Sequence, residues 1–171
     1  MNAIPHRRIL ALDVHALHAG FAVLEGPRRL VGHGRIHYGS ISGVPAIRVA
    51  RLIDLYRPDR IVLTMPANQT LAGERLAAAS TSIAGEAARR RIPIRRIGRW
   101  QALDILGART RYAAALHVSE TLPALGARLP RRRKMWQSEQ PIMSVFDAAA
   151  AALAYYGRYA RRDRHGDLLA A

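Results

Sequence analysis

Residues 8–23 read RILALDVHALHAGFAV and contain the pattern that decides the fold. The apolar run over residues 8–13 is typical of a buried strand whose last residue, Asp13, emerges at a site. Residues 15–20 form a predicted turn, and residues 21–24 are apolar again, which predicts a second strand. The stretch therefore predicts two neighbouring strands with an acidic side chain at one end.

Outward from this stretch, the sequence alternates between strand and helix patterns. Further strands are predicted over residues 30–38, 60–65 and 92–97, and helices over 44–56, 73–91, 100–106, 110–122 and 144–159, the last with Ser144 as its N-cap. Helices that alternate with strands in the second half require parallel crossovers, whereas the first three strands form an antiparallel meander. We predict a single α/β domain over residues 1–171, with a core from about 8 to 160 and a charged tail over 161–171.

The charge of the chain is its most pronounced compositional feature. The formal net charge is +15 and the pI is about 11.6. Every basic residue except Lys134 is an arginine, whose planar fork suits phosphate contacts. An Arg-rich genome would explain arginine over lysine but not the excess of bases over acids. The excess favours nucleic acid as the partner, with a membrane surface or ribosomal RNA as alternatives.

Other features exclude whole classes of chemistry. The chain has no cysteine, which rules out disulfides, zinc-thiolate sites and thiol catalysis. The longest apolar run, residues 148–156, is half of what a membrane span requires, and no secretory signal is evident. We therefore expect a soluble, cytoplasmic protein.

Three segments, in this order, resemble the RuvC-type Holliday-junction resolvases of the ribonuclease H-like superfamily. They are residues 9–23 with their strand, Asp and Gly, residues 57–63 (RPDRIVL), and residues 146–154 (FDAAAAALA). The resemblance covers residues 8 to about 160 and implies a mixed five-stranded sheet, with three antiparallel and then two parallel strands, flanked by helices. The YqgF group of the same superfamily is similar at residues 65–68 and 92–94, but the extra helical segment between Ile97 and Asp147 favours RuvC.

The resemblance implies phosphodiester hydrolysis with two Mg²⁺ or Mn²⁺ ions held by acidic side chains. Asp13 and Asp147 match the first and last acids, and we predict both as catalytic metal ligands. A turn or capping role for Asp13, and a helix-dipole role for Asp147, are the alternatives.

The remaining acids of the resembled pattern are missing. Thr64 stands where RuvC has a glutamate on the fourth strand, Arg99 follows the fifth strand where YqgF has its acid, and Ser144 and Ala150 flank Asp147. Glu139 is predicted as a substitute metal ligand and Glu74 as a weaker alternative. Two carboxylates alone need not support two-metal catalysis.

Basic clusters beside tryptophans predict contacts with phosphates and with an unstacked base. The predicted nucleic-acid-binding residues are Arg95, Arg96, Arg99, Trp100, Arg131, Arg132, Arg133, Lys134 and Trp136. The alternatives are a solvated helix face for residues 89–91 and a core position for Trp100. His15 and His18 are expected to be an exposed pair in the turn rather than metal ligands or proton carriers.

The sequence thus predicts a structure-selective, Mg²⁺-dependent endodeoxyribonuclease that acts on branched DNA. By the resemblance it would be a homodimer, because two opposed strands must be cut. The alternatives are a non-catalytic nucleic-acid-binding subunit of the same fold within a larger assembly, and a YqgF-like RNA-processing nuclease.

Overall fold

The computed structural model describes residues 7–39, 43–64, 72–134 and 136–160. The strands are β1 (Arg8–Val14), β2 (His18–Glu25), β3 (Leu30–His37), β4 (Arg60–Thr64) and β5 (Ile94–Arg96). The helices are α1 (Val44–Tyr56), α2 (Ala72–Arg89), α3 (Arg99–Ile105), α4 (Arg111–Thr121) and α5 (Met143–Arg158), with a 3-10 helix over Pro123–Arg128.

The strands form one mixed sheet in the order β3-β2-β1-β4-β5. The pairs β1–β2 and β2–β3 are antiparallel, whereas β1–β4 and β4–β5 are parallel. The predicted architecture, three antiparallel strands followed by two parallel ones with helices around them, is confirmed.

Alternate residues of β1 point to opposite faces of the sheet and build two separate cores. Ile9 and Ala11 pack against α3, α4 and α5 on one face, and Leu10 and Leu12 pack against α1 and α2 on the other. Asp13 continues the series of Ile9 and Ala11, so it faces the side of the sheet that α5 covers. This parity determines which helices can reach its carboxylate.

Helix α5 lies across the middle of the sheet and is buried from Met143 to Tyr155. A helix that is apolar all around belongs in a core, and its run of alanines lets it approach the strands closely. The contact is tightest at Gly20, where a Cβ atom would lie 2.3 Å from the Ser144 carbonyl carbon and oxygen. Strand β2 therefore needs a glycine at this point.

Several boundaries differ from the sequence-based prediction. Ser144 is not the N-cap of α5: Ile142 occupies that position, and the Ser144 hydroxyl donates to the Pro141 carbonyl oxygen at 2.9 Å. Strand β5 is shorter than predicted, and β2 begins at His18, within the predicted turn. The predicted strand end at Met65, residues 65–68 and the tail over 161–171 lie outside the described residues.

Within the described ranges, no helix is both long enough and apolar enough to cross a membrane.

Candidate active site

Asp13 and Asp147, 134 positions apart in the chain, meet at one arginine whose side chain is 12% exposed. Arg99 donates from Nη2 to both Asp13 oxygens, at 3.0 and 3.3 Å, and its Nε lies 3.6 Å from Asp147 Oδ2. The Asp13 side chain is fully buried and that of Asp147 is 4% exposed. The two acids that the sequence predicts as partners therefore do share one site at the end of β1.

A second arginine, Arg111, forms an ion pair with Asp147. Its Nε donates to Asp147 Oδ1 at 3.2 Å and its Nη2 donates to Oδ2, which is the bidentate geometry of a guanidinium–carboxylate pair. Its remaining Nη1 donates to Glu139. Glu139 therefore reaches the edge of the site but contacts a guanidinium there.

Both arginines occupy the first position of a helix. Arg99 follows Gly98, the N-cap of α3, and Arg111 follows Thr110, the N-cap of α4. A cation at this end faces the positive pole of the helix dipole, so the position is unfavourable unless an anion compensates it. Asp13 and Asp147 provide that compensation.

Burial shifts the pKa values of Arg111 and Asp147 in opposite directions, because it disfavours the charged form of each. Burial raises the pKa of Asp147, and the nearby Asp13 carboxylate adds to this, although Arg111 and Arg99 oppose it. For Arg111 burial disfavours the charged form, but its hydrogen bonds to Asp147 and Glu139 outweigh burial and raise the pKa. Arg111 is thus a fixed positive charge, and Asp147 is the member of the pair that takes up a proton on acidification.

The turn after β1 brings two histidines to the same site. His15 Nε2 lies 2.6 Å from Asp13 Oδ2, and its ring stacks on that of His18 at 4.5 Å between centroids. The Tyr38 hydroxyl contacts the backbone carbonyl oxygens of both histidines and fixes the turn. The prediction that these histidines form an exposed pair is therefore wrong, because both rings are half-buried. Burial, together with the neighbouring His15 and Arg35, lowers the pKa of His18 to about 4.

Solved structures of resolvases share this architecture. Thermus thermophilus RuvC in complex with a Holliday junction substrate matches with a TM-score of 0.71 and 20% identity, over 92% of this chain and 96% of that chain. This chain has the RuvC-type fold. The yeast mitochondrial Holliday junction resolvase Ydc2 matches with a TM-score of 0.60 and 13% identity, over 94% and 82% of the two chains. No family model matches the sequence, and no curated protein does.

The donor set does not fit the two metal ions that the RuvC-type fold implies. The parallel register places Thr64 beside Asp13, and the buried Thr64 hydroxyl has no hydrogen-bond partner among the residues described. The carboxylate oxygens of Asp13 and Asp147 already accept from guanidinium groups. Across the described ranges, no three His, Asp or Glu side chains are grouped so as to hold a metal ion.

The two substitute acids differ in position. Glu139 lies within reach of Arg111, whereas Glu74 is exposed on α2, which packs on the opposite face of the sheet from α5. The roles of Asp13, Asp147 and Glu139 as metal ligands stay predictions. Sequence reasoning missed Arg99 and Arg111 as partners of these acids, although a cation at the start of each helix was a readable signal.

The predicted nucleic-acid-binding residues fall into two groups. The exposed ones are Arg96, Trp100, Arg131, Arg132, Arg133, Lys134 and Trp136. Arg95 is half-buried with its guanidinium 5.0 Å from the centre of the Tyr159 ring, and Arg99 lies in the acidic site. Trp100 is 64% exposed, which excludes the alternative core position.

Residues 89–91 fit the alternative of a solvated helix face. Arg89 and Arg90 both pair with Glu86, and Arg90 also pairs with Asp54. The charges of Arg89 and Arg90 are therefore balanced by Asp54 on α1 and Glu86 on α2.

Proposed function

We propose that this chain recognises branched DNA as a structure-selective, resolvase-like nuclease. The observation that carries the proposal is the match of nine-tenths of the chain to RuvC solved on a Holliday junction substrate. The net charge of +15 supports it, because phosphate contacts supply most of the affinity of proteins for nucleic acids. A homodimer belongs to this proposal, since symmetric cutting needs two sites, and light scattering measures it.

The exposed loop before α5 supports the same function. Arg131, Arg132, Arg133 and Lys134 are all exposed, and the Lys134 ammonium lies 5.4 Å from the centre of the Trp136 ring. Trp136 is 79% exposed, so its ring is free to stack on a base. A cationic segment ending in an exposed aromatic ring suits a strand whose bases are unstacked, as at the branch point of a junction.

A second candidate is junction binding without hydrolysis. The specific observation in its favour is that Arg99 and Arg111 occupy the oxygens of Asp13 and Asp147 that metal ions would need. Two guanidinium groups neutralise the acids as two cations would, but they cannot activate a water molecule. The fold suits both candidates, and only the chemistry of this site separates them.

A labelled four-way junction tests the shared function first. We expect binding well above that of a linear duplex of the same length, with affinity falling steeply and linearly in log salt. Equal affinity for both DNAs, or a flat salt response, would remove the proposal. A four-way RNA junction in parallel tests the YqgF-like alternative.

The same junction with Mg²⁺ or Mn²⁺ separates the two candidates, with Asp13→Asn as the matched variant. Paired nicks on opposed strands that disappear in the variant establish the nuclease and its use of Asp13. Tight binding without nicks, unchanged by the substitution, establishes the non-cleaving protein.

Replacing Trp136 by alanine should weaken junction binding by about 1–3 kcal/mol if its ring stacks on one base. Trp136→Phe, which keeps an aromatic face, is the matched control and should retain most of the affinity. Fluorescence anisotropy at fixed salt measures both. Equal losses for alanine and phenylalanine would contradict stacking.

A further inference from the structure

A cavity of about 270 Å³ opens beside the acidic site. Its walls come from the turn after β1, from β3, from the start of α4 and from the segment that leads into α5. Arg35 and Arg111 both line it, together with His15 and His18. Arg99, the residue that joins Asp13 to Asp147, does not line the cavity, so the cavity is a separate feature beside that site.

Arg35 reaches this cavity because of a row of residues across the sheet. The register pairs Thr64 with Asp13, Asp13 with Gly20, and Gly20 with Arg35, and paired residues share a face. Gly20 has no side chain to separate Asp13 from Arg35, and Ser144 of α5 fills the space above it. Asp13 and Arg35 therefore lie on the same face of the sheet, on either side of the point where Ser144 of α5 contacts Gly20.

The guanidinium of Arg35 is not used up by the fold. Its Nε is buried and has no hydrogen-bond partner in the part of the chain that the structure describes. A buried donor of this kind is costly unless a ligand or water satisfies it. Its charge is also felt locally, because it is one of the groups that lower the pKa of His18.

The balance of charge in the cavity favours an anion. Arg35 and Arg111 line the cavity with one carboxylate, Glu139, and Arg111 is already paired with both Glu139 and Asp147, so among the described residues Arg35 is the lining arginine whose charge is not balanced. His18, with a pKa near 4, is uncharged at neutral pH and can still act as a neutral hydrogen-bond donor. A guanidinium with a free donor, as in Arg35, is well suited to a phosphate oxygen, and Arg111 can add its Nη1 if Glu139 gives way.

We propose that this cavity binds a backbone phosphate of the nucleic acid through Arg35 and Arg111, without a metal ion. The inference rests on the proposed function, since it assigns a DNA phosphate to a position beside the acidic site. Glu139 competes with the phosphate for Arg111, and His15 and His18 form the wall between the phosphate and Asp13.

The test compares Arg35→Met and Arg48→Met in junction binding with EDTA present. Arg48 is exposed on α1, on the opposite face of the sheet, so its variant loses the same charge without touching the cavity. Arg35→Met should weaken binding about tenfold and make the salt dependence shallower by about 0.9 in log–log slope, while Arg48→Met stays near wild type. Glu139→Gln should strengthen binding, because Arg111 is released.

The outcomes separate this inference from the proposed function. Equal losses for Arg35→Met and Arg48→Met, or junction binding that requires Mg²⁺ or Mn²⁺, overturn the inference while leaving junction recognition intact. If the wild type does not bind junctions, the proposed function fails, and inorganic phosphate still tests the cavity. At equal ionic strength, phosphate should then raise the melting temperature of the wild type above its value in chloride, but should not do so for Arg35→Met. If the two proteins respond alike, the inference is overturned.

Discussion

Replacing Arg111 by methionine is expected to destabilise the protein by about 3 kcal/mol at pH 7. The reason is the state in which it leaves Asp147, whose side chain is 4% exposed and loses its bidentate partner. Removing one member of a buried ion pair costs more than the pair contributes, because the other charge stays buried. Breaking a buried ion pair typically costs about 3–5 kcal/mol. We expect the lower value here because Arg99, 3.6 Å from Asp147, still compensates part of its charge.

The pH dependence of this variant carries a definite sign. Burial already raises the pKa of Asp147 in the folded state, and without Arg111 the pKa rises further. A carboxyl group whose pKa is higher folded than unfolded penalises folding at pH values above both. The penalty shrinks as the pH falls through the folded-state pKa toward the unfolded one, so the deficit of Arg111→Met should be largest near neutrality and decrease with acidification.

Guanidinium denaturation at several pH values measures this effect, and two further variants make it specific. Arg48→Met, on exposed surface, should change stability by no more than about 0.5 kcal/mol. Adding Asp147→Asn to Arg111→Met removes the uncompensated charge and should recover much of the loss. If Arg111→Met behaves like Arg48→Met, the ion pair does not hold the site together.

The sequence predicted the two acids of the site better than it predicted their partners. Asp13 lies one residue before the end of an apolar strand and Asp147 lies within the buried, largely apolar part of a helix, so each interrupts a local pattern. Arg99 and Arg111 interrupt no apolar pattern, and they reach the acids across 86 and 36 positions of the chain. Contacts at such separations depend on how helices sit on the sheet, which periodicity does not encode.

The elements themselves followed from local patterns where packing and propensity agree. The bounds of α1 matched the prediction at both ends, because an apolar face of period 3.6 ends where Arg57 and Pro58 stop the helix. The start of α5 did not match the prediction, because Ser144 was assigned as the N-cap from its residue type alone. In the structure its hydroxyl bonds back to Pro141, in a turn that precedes the helix.

The function prediction depended on the resemblance more than on the residues. The match in fold to resolvases bears out the architecture, yet the site differs from a simple cluster of acids. Thr64 beside Asp13, and Arg99 bridging Asp13 and Asp147, place a hydroxyl and a positive charge where the resemblance leads one to expect acids. Such replacements leave the backbone unchanged, so the fold can persist while the chemistry at its centre changes.

Substituting alanine for Gly20 should cost about 3 kcal/mol, the upper end for overpacking, because the added Cβ would meet the backbone of α5 at Ser144. The clash is with main-chain atoms at 2.3 Å, so no rotamer change relieves it and α5 must move away from β2. That shift also displaces Asp147, one turn further along the helix. Gly85→Ala is the matched control: its Cβ meets nothing within 4 Å, and it should stabilise the protein by about 0.5–1 kcal/mol through helix propensity. Urea denaturation of both variants measures the difference, and a Gly20→Ala midpoint equal to that of wild type would show that strand and helix are not in close contact there.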